Sequence, residues 1–360
     1  MIIHKIQARS REEFSHKVAP TFAERHKAVA FDVLEGPDLQ AEATEAVSLV
    51  PDIPLVVKLH TPCCIFRQTA DRSSLRKKLR GQLGALKQWI DPNSIENREK
   101  KHALVADVIA APSEAIGERL QKHWNLDSQK IHYFPCPFVP SSELLEIPIE
   151  KKDDKTVTFV GNLSLRKGAV HLAQAVPRIL NQFPDAKFCF VGGGGSARSP
   201  HPHQNMKQCI MSYLQPYHQA VELTGNVPND RIPSILSQSN VCVFPSLFDS
   251  FGFVCLEAMA AGRAVVGSNS GGMAEIINSA AVGRLVPPRN PEQIAQKVIE
   301  LLSNVELRVQ MGVKARERVL EVYNAERIGK LQEKSYLRAI ENKFRSSRRL
   351  TDKSLSIRDR

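Results

Sequence analysis

The feature that most constrains this chain is its alternation. Short runs rich in Val, Ile and Phe recur along its length. The first half carries AFDVLEG, IPLVVKLH, ALVADVIAAPS and KIHYFP, and the second carries TVTFVGN, AKFCFVGGGG, VELTGNV, NVCVFPS, RAVVGSN and RLVPP. Segments with helical periodicity, such as AVHLAQAVPRILNQF, separate most of them. Apolar strands alternating with helices belong in parallel sheets covered on both faces. The pattern therefore predicts an α/β protein with two doubly wound parallel-sheet domains, facing a cleft at the carboxyl ends of their strands. The stretch 138–154 mixes Pro, Ser and charge and reads as the connection between domains. This gives a first domain over residues 1–145, a second over 155–325, a closing helix over 326–345 and a basic tail, expected to be disordered, over 346–360.

No stretch approaches 18 uninterrupted apolar residues, so no membrane-spanning helix is expected. The opening MIIHKIQARSREEF has no apolar core of the kind a secretory signal needs. Seven cysteines, an odd number without a CxxC pair, argue for a reducing cytoplasm rather than a disulfide framework or a metal site. The formal net charge of +11 resides in two patches, residues 67–87 at +6 and residues 343–360 at +5, leaving the rest neutral. A neutral body with two basic patches suits local contact with an anionic surface, not general nucleic-acid binding. No zinc-finger spacing or aromatic RNA-binding motif points to nucleic acid either.

Three loops carry the candidate chemistry. In FDSFGFVCLEAMAAG (248–262) a strand ends at Pro245, Asp249 enters a Gly-containing turn, and a helix follows that stops at Gly262. A helix starting there aims unpaired N–H groups at the turn, which suits an anion. Glu257, about one turn in, suits a pair of hydroxyls. The alternative is an ordinary strand-to-helix loop with two incidental acids. In TFVGNLSLRKGAV (158–170), Arg166, Lys167 and Gly168 again lie between strand and helix, where a Lys suits a phosphate or is merely a surface side chain. The run GGGG (192–195) follows a strand and, like most Gly runs, reads by itself as a flexible turn.

Taken in order, G-N-L-x-x-x-K-G, V-G-G-G-G, G-N-V-P, P-S-x-x-D-S-F-G-x-x-x-L-E-A-M-A-x-G and S-G-G-x-x-E-I resemble the donor domain of glycosyltransferase family 4. The resemblance covers residues 155–335 well and 29–150 more weakly. It implies the two-domain GT-B fold and a retaining hexosyltransferase that uses a nucleotide-diphosphate sugar without metal or other cofactor. Glu257 then matches the carboxylate that holds the ribose, and Asp249 the acid, usually Glu, that faces the transferred sugar. Phe251, Gly252 and Phe253 lend backbone N–H groups to the diphosphate, and Lys167 contacts it. Gly161 and Asn162 belong to the first of these loops, and Gly225, Asn226 and Val227 to the loop beside the nucleobase. VVKLHTP matches a strand ending in a histidine near the sugar, here His60; a lone His at a strand end is otherwise structural.

Three departures from the family's pattern stand out. Asn162 replaces an Arg, so a diphosphate cation is missing unless Arg166 takes its place. Asp249 is one methylene shorter than Glu. Met1 to Lys27 contains no strand with a Gly-rich loop, so the first domain is expected to be incomplete. That last departure keeps open a non-catalytic or partner-dependent sugar-nucleotide-binding subunit, with a second subunit completing the first domain. A phosphorylase of the same overall fold has no cofactor-lysine motif to support it. The acceptor implied is a glycan or a lipid-linked molecule. Within FRQTADRSSLRKKLRGQLGALKQWI (66–90), Leu75, Leu79, Leu83, Leu86 and Ile90 line one helical face flanked by bases. This is either a domain helix with a solvated flank or an interfacial helix for an anionic membrane, which would make the protein peripheral on the cytoplasmic membrane.

Overall fold

The computed structural model describes residues 5–69, 91, 94–150, 155–194 and 204–358. They divide into two compact units. One is built from the chain up to Arg67, the stretch ending at Pro135 and the chain from Ile328 onward; the other is Cys136–Arg327 together with Gln68 and Thr69. The basic segment 66–90 lies largely outside the described residues. Among the described residues, no helix is long and apolar enough to cross a membrane.

The first unit is organised around four parallel strands, β1 (Leu34–Pro37), β2 (Leu55–Lys58), β3 (Val108–Ala111) and β4 (Ile131–Tyr133), in the order β1-β2-β3-β4. Each coincides with one of the apolar runs. Helix Glu114–Trp124 shows why the connections are helical. Ser113 accepts from the backbone N–H of Ile116 at its start, and Ile116, Leu120 and Trp124 at spacings of four bury one stripe. It ends on Asn125 in the left-handed region (φ 56°).

The last helix, Ala325–Arg358, packs on this same unit. Gln332 Nε2 and Tyr336 Oη each donate to Glu35 Oε2 at 3.0 Å. Lys343, Arg338 and Asn342 donate to the carbonyls of Pro51, Gln129 and Asp107. Those carbonyls lie ahead of β2, β4 and β3, so the helix runs along the amino ends of the strands. It continues through most of the stretch expected to be a disordered tail. Residues 330–358 contain neither Gly nor Pro, so nothing local interrupts it.

In the second unit six parallel strands lie in the order β10-β9-β8-β5-β6-β7, with β5 Thr156–Val160, β6 Lys187–Val191, β7 Val221–Gly225, β8 Val241–Phe244, β9 Ala264–Ser268 and β10 Arg284–Val286. All ten strands are thus parallel, as the alternation predicts. Val157 and Phe159 of β5 and Phe188 and Phe190 of β6 pack into one core with Leu172, Val176 and Ile179 of helix Ala169–Gln182 and Val298 of helix Pro291–Leu302. The strand order reverses between β5 and β8, the position at the carboxyl ends of the strands where doubly wound sheets characteristically place a ligand. Residues 136–150, placed with the connection and the first domain by composition, belong here. Arg263 and Arg316 each donate at 2.6 Å, to the carbonyls of Pro148 and Ile147, and Phe138 N–H bonds Tyr323 O.

His102 on helix Ile95–Val105 is 2% exposed, and burial pushes its pKa down to about 4. Among the described residues its Nε2 has no hydrogen-bond partner, and its Nδ1 lies 3.3 Å from Thr44 Oγ1, so it is buried neutral. A depressed folded pKa means the stability it supports is present above the unfolded value of 6.5 and is lost as pH falls toward 4. At 1.36 kcal/mol per unit the loss is about 3 kcal/mol. Urea unfolding of wild type and His102→Gln between pH 7 and 4 should show the variant gaining on wild type by that amount. A stability gap that does not change with pH would contradict it.

Candidate functional site

The loop leaving β8 is clasped from both sides. Residues 245–250 are all buried, so their backbone groups must find protein partners. Leu247 N–H donates to Arg166 O at 2.6 Å from the β5 side. On the β9 side Gly272 N–H donates to Asp249 O at 2.8 Å and Ser270 Oγ to Leu247 O at 2.9 Å. Two glycines permit this approach. A Cβ on Gly168 (φ +76°) would lie 1.9 Å from Pro245 O, and one on Gly271 (φ +64°) 2.1 Å from Asp249 O.

The clasp delivers Asp249 to Arg166 and Lys167. The aspartate is 3% exposed, and a buried carboxylate stays ionised only with partners. Lys167 Nζ donates to both its oxygens at 2.9 Å, while Arg166 Nη1 donates to Oδ1 at 2.6 Å and to Phe248 O at 3.1 Å. Both cations thus meet on one carboxylate, with side chains about one-fifth exposed. Arg166, the candidate replacement for a cation at the exposed Asn162, is thus tied to Asp249.

The next helix, Phe253–Ala260, begins at Gly252, which offers no side-chain cap, and has no acid in its first turn. Its positive end is therefore not neutralised by its own residues. Phe251 is wedged between Phe253 (centroids 5.0 Å) and Tyr323 (5.8 Å), and Phe253 also meets Phe138 (6.4 Å), so aromatic contacts hold the turn. Glu257 is half-buried, and among the described residues its carboxylate has no hydrogen bond or ion pair. Burial alone pushes its pKa up, with no partner opposing.

The remaining strand-end loops mesh through backbone. Gly161 N–H donates to Val191 O, Leu163 N–H to Gly193 O and Gly192 N–H to Gly225 O, at 2.8–2.9 Å. Gly161 and Asn162 at the end of β5 are thereby linked through β6 to Gly225, with Asn226 exposed and Val227 half-buried beyond it.

His60 lies in the first unit, just past β2. Its Nδ1 is 3.0 Å from Lys58 O, which can only accept, so Nδ1 carries the proton and Nε2 is the acceptor of the neutral ring. The Asp38 carboxylate beside it raises its pKa. Asp38 and Glu99, both fully buried, were not singled out from sequence. Glu99 sits among Glu96, Arg98, Lys100 and Lys101 in what reads as a solvated helix, and only the fold separates it from them. Among the described residues, Cys64, Glu96 and His123 place donor atoms within 4.8 Å of one another. They fit a metal poorly: Glu96 already binds Arg67 and His123, burial pushes the Cys64 thiol up to about 12, and Arg67, Lys100 and Arg119 make the surroundings positive.

Residues 141–318 match the family model described as glycosyl transferases group 1. An uncharacterized glycosyltransferase of Methanocaldococcus jannaschii is 35% identical over 178 residues, which is 49% of this chain and 43% of that protein. The alpha-maltose-1-phosphate synthase of Mycolicibacterium smegmatis is 26% identical over 66% of this chain and 62% of its own length. The chain thus spans roughly two-fifths to three-fifths of the length of these relatives. Among solved structures, sucrose-phosphate synthase from Thermosynechococcus elongatus aligns with a TM-score of 0.68 over 92% of this chain and 80% of its own, at 23% identity. Anabaena HepE in complex with UDP aligns with a TM-score of 0.65 over 89% and 82%, at 16% identity. These likenesses show the fold, two parallel-sheet Rossmann-like units as in GT-B glycosyltransferases.

Because Gly168 touches the β8 loop with no room for a side chain, Gly168→Ala should lower stability by about 1–3 kcal/mol from backbone strain alone, with the steric clash added to that. Thermal unfolding measures the loss, and an unchanged midpoint would show the clasp to be looser than described.

Proposed function

We propose that this protein is a retaining glycosyltransferase of family 4 that transfers a hexose from a nucleotide-diphosphate sugar to a glycan or lipid-linked acceptor. The observation that carries the reading is the pairing of Arg166 and Lys167 on buried Asp249, four residues before a helix that opens without a side-chain cap. An anionic leaving group is what such a site is suited to meet. As the bond from the anomeric carbon to the diphosphate lengthens, charge grows on the phosphate oxygens. Lys167, Arg166 and the N–H groups of Phe251, Gly252 and Phe253 are the donors that stabilise it. These donors meet the charge without a metal ion.

Glu257 has the complementary task. Its carboxylate, with no partner of its own among the described residues, accepts from the two ribose hydroxyls and so holds the donor without driving the chemistry. Gly161, Asn162, Gly225, Asn226 and Val227 form the meshed loops that shape the nucleotide end. Asp249 keeps Lys167 oriented and faces the sugar, and His60 is the histidine that the family resemblance assigns to the sugar. The match to glycosyl transferases group 1, and the UDP named with Anabaena HepE, support this assignment. The basic segment 66–90 makes an anionic membrane surface a natural place for a lipid-linked acceptor.

Glu257→Gln should weaken binding of UDP or GDP by roughly tenfold, the loss of one charge-assisted hydrogen bond. Isothermal titration measures it, and unchanged affinity for every nucleotide that binds wild type would refute the ribose assignment. Lys167→Ala should cut kcat by about a hundredfold with little change in KM, because the charge it meets develops only in the transition state. Normal turnover in this variant would reduce Lys167 to a structural partner of Asp249.

A further inference from the structure

The first unit contains two fully buried carboxylates that the proposed chemistry does not use directly, and both grip backbone at the ends of neighbouring strands. Asp38, just past β1, accepts from His60 N–H at 2.8 Å through Oδ1. Glu99, from helix Ile95–Val105, reaches both loops at once. Its Oε1 accepts from Gln40 N–H at 3.0 Å and its Oε2 from Cys63 N–H at 2.9 Å. One side chain therefore ties the turn after β1 to the turn after β2, the latter being the turn that carries His60. The tie has work to do at Gln40 and Ala41, which adopt left-handed backbone (φ 57° and 55°) without being glycine. Such a conformation persists only where surrounding contacts over-determine it.

We propose that Glu99 is a positioning residue, whose two oxygens lock the β1 and β2 end loops together and so fix how His60 is presented to substrate. The proposal rests on the glycosyl-transfer reading for its consequence but not for its geometry. A neutral Glu or Gln accepts through one oxygen only and turns a donor toward the other N–H, so the lock needs the ionised carboxylate. The titratable groups acting on it are Asp38 from the β1 loop and Cys63 and Cys64 from the helix after β2. Burial, reinforced by the negative charge of Asp38, pushes the Glu99 carboxyl up to about 7, while the two N–H bonds pull against that. The lock therefore engages as pH rises through neutrality. The cost of ionising a buried acid is accepted for geometry: a raised folded pKa means stability that is present below 4.5 and lost as pH rises toward 7.

The test compares wild type with Glu99→Gln, adding His60→Ala as a reference for the reading itself. Proton NMR of the His60 ring in the ligand-free protein should show its own titration and a second inflection near pH 7, and only the second should vanish in Glu99→Gln. In steady-state assays with the sugar nucleotide that wild type uses, the acid limb of kcat near pH 7 should flatten in Glu99→Gln. Its kcat should fall about tenfold at pH 8, with KM for donor unchanged. A Glu99→Gln ring titration identical to wild type would overturn the proposal whatever the enzyme does. Normal activity of His60→Ala alongside a lost second inflection would instead leave the lock standing and remove His60 from the reaction. Should Glu99→Gln fail to fold, hydrogen exchange of the Gln40 and Cys63 amides in wild type decides. Protection of both should rise together between pH 6 and 8, after correction for intrinsic exchange, and flat protection would overturn the proposal.

Discussion

A carboxylate taken out of water must be paid for locally, and Asp249 sets the terms for the second unit. It is buried because the loop from β8 is pinned between the loops from β5 and β9. Being buried, it requires cations, and both come from one dipeptide, Arg166-Lys167, on the far side of the strand-order reversal. Topology makes this economical. At the order reversal β5 and β8 are neighbours, so the loops leaving them lie side by side and their polar side chains meet. Two glycines without room for a Cβ hold the arrangement shut, and the uncapped helix that follows is oriented by the same turn.

The first unit solves a similar problem by other means. Its acids, Asp38 and Glu99, are not matched to Lys or Arg but to backbone N–H groups of the strand-end loops. Backbone donors are fixed in space, so an acid bonded to them records loop geometry rather than attracting charge. The two units thus use buried carboxylates differently. In one the carboxylate orients cations, and in the other it orients a loop that bears a histidine.

Much of this was legible in the sequence because strands apolar on both faces announce themselves. All ten runs became strands, and the loop residues Asp249, Lys167 and Glu257 stood out at strand-to-helix junctions. What sequence reasoning did not see has a common cause. The pairing of Arg166 and Lys167 with Asp249 spans more than eighty residues, and that of Glu99 with Gln40 spans 59. No periodicity encodes such contacts. The helix from Ala325 was foreseen, but not its length, nor its return to the first unit. Its anchors are single bonds to carbonyls ahead of β2, β3 and β4, which composition does not mark. The stretch 136–150 was set apart by its prolines, while its attachment depends on Arg263 and Arg316, far along the chain.

The pairing at Asp249 also bears on how cations could serve a reaction at all. A lysine on an open surface is strongly hydrated, and an incoming phosphate must compete with that water. Lys167 has already given up most of its hydration, since its ammonium donates to both oxygens of one buried carboxylate. In the glycosyl-transfer reading, the diphosphate therefore adds to, or shares, a preset anionic contact instead of ordering a free side chain. The Asp249 carboxylate is held beside Arg166 and Lys167. Cations held on a buried carboxylate are oriented before the charge on a leaving group appears. That is the condition under which electrostatics lowers a barrier rather than merely tightening ground-state binding.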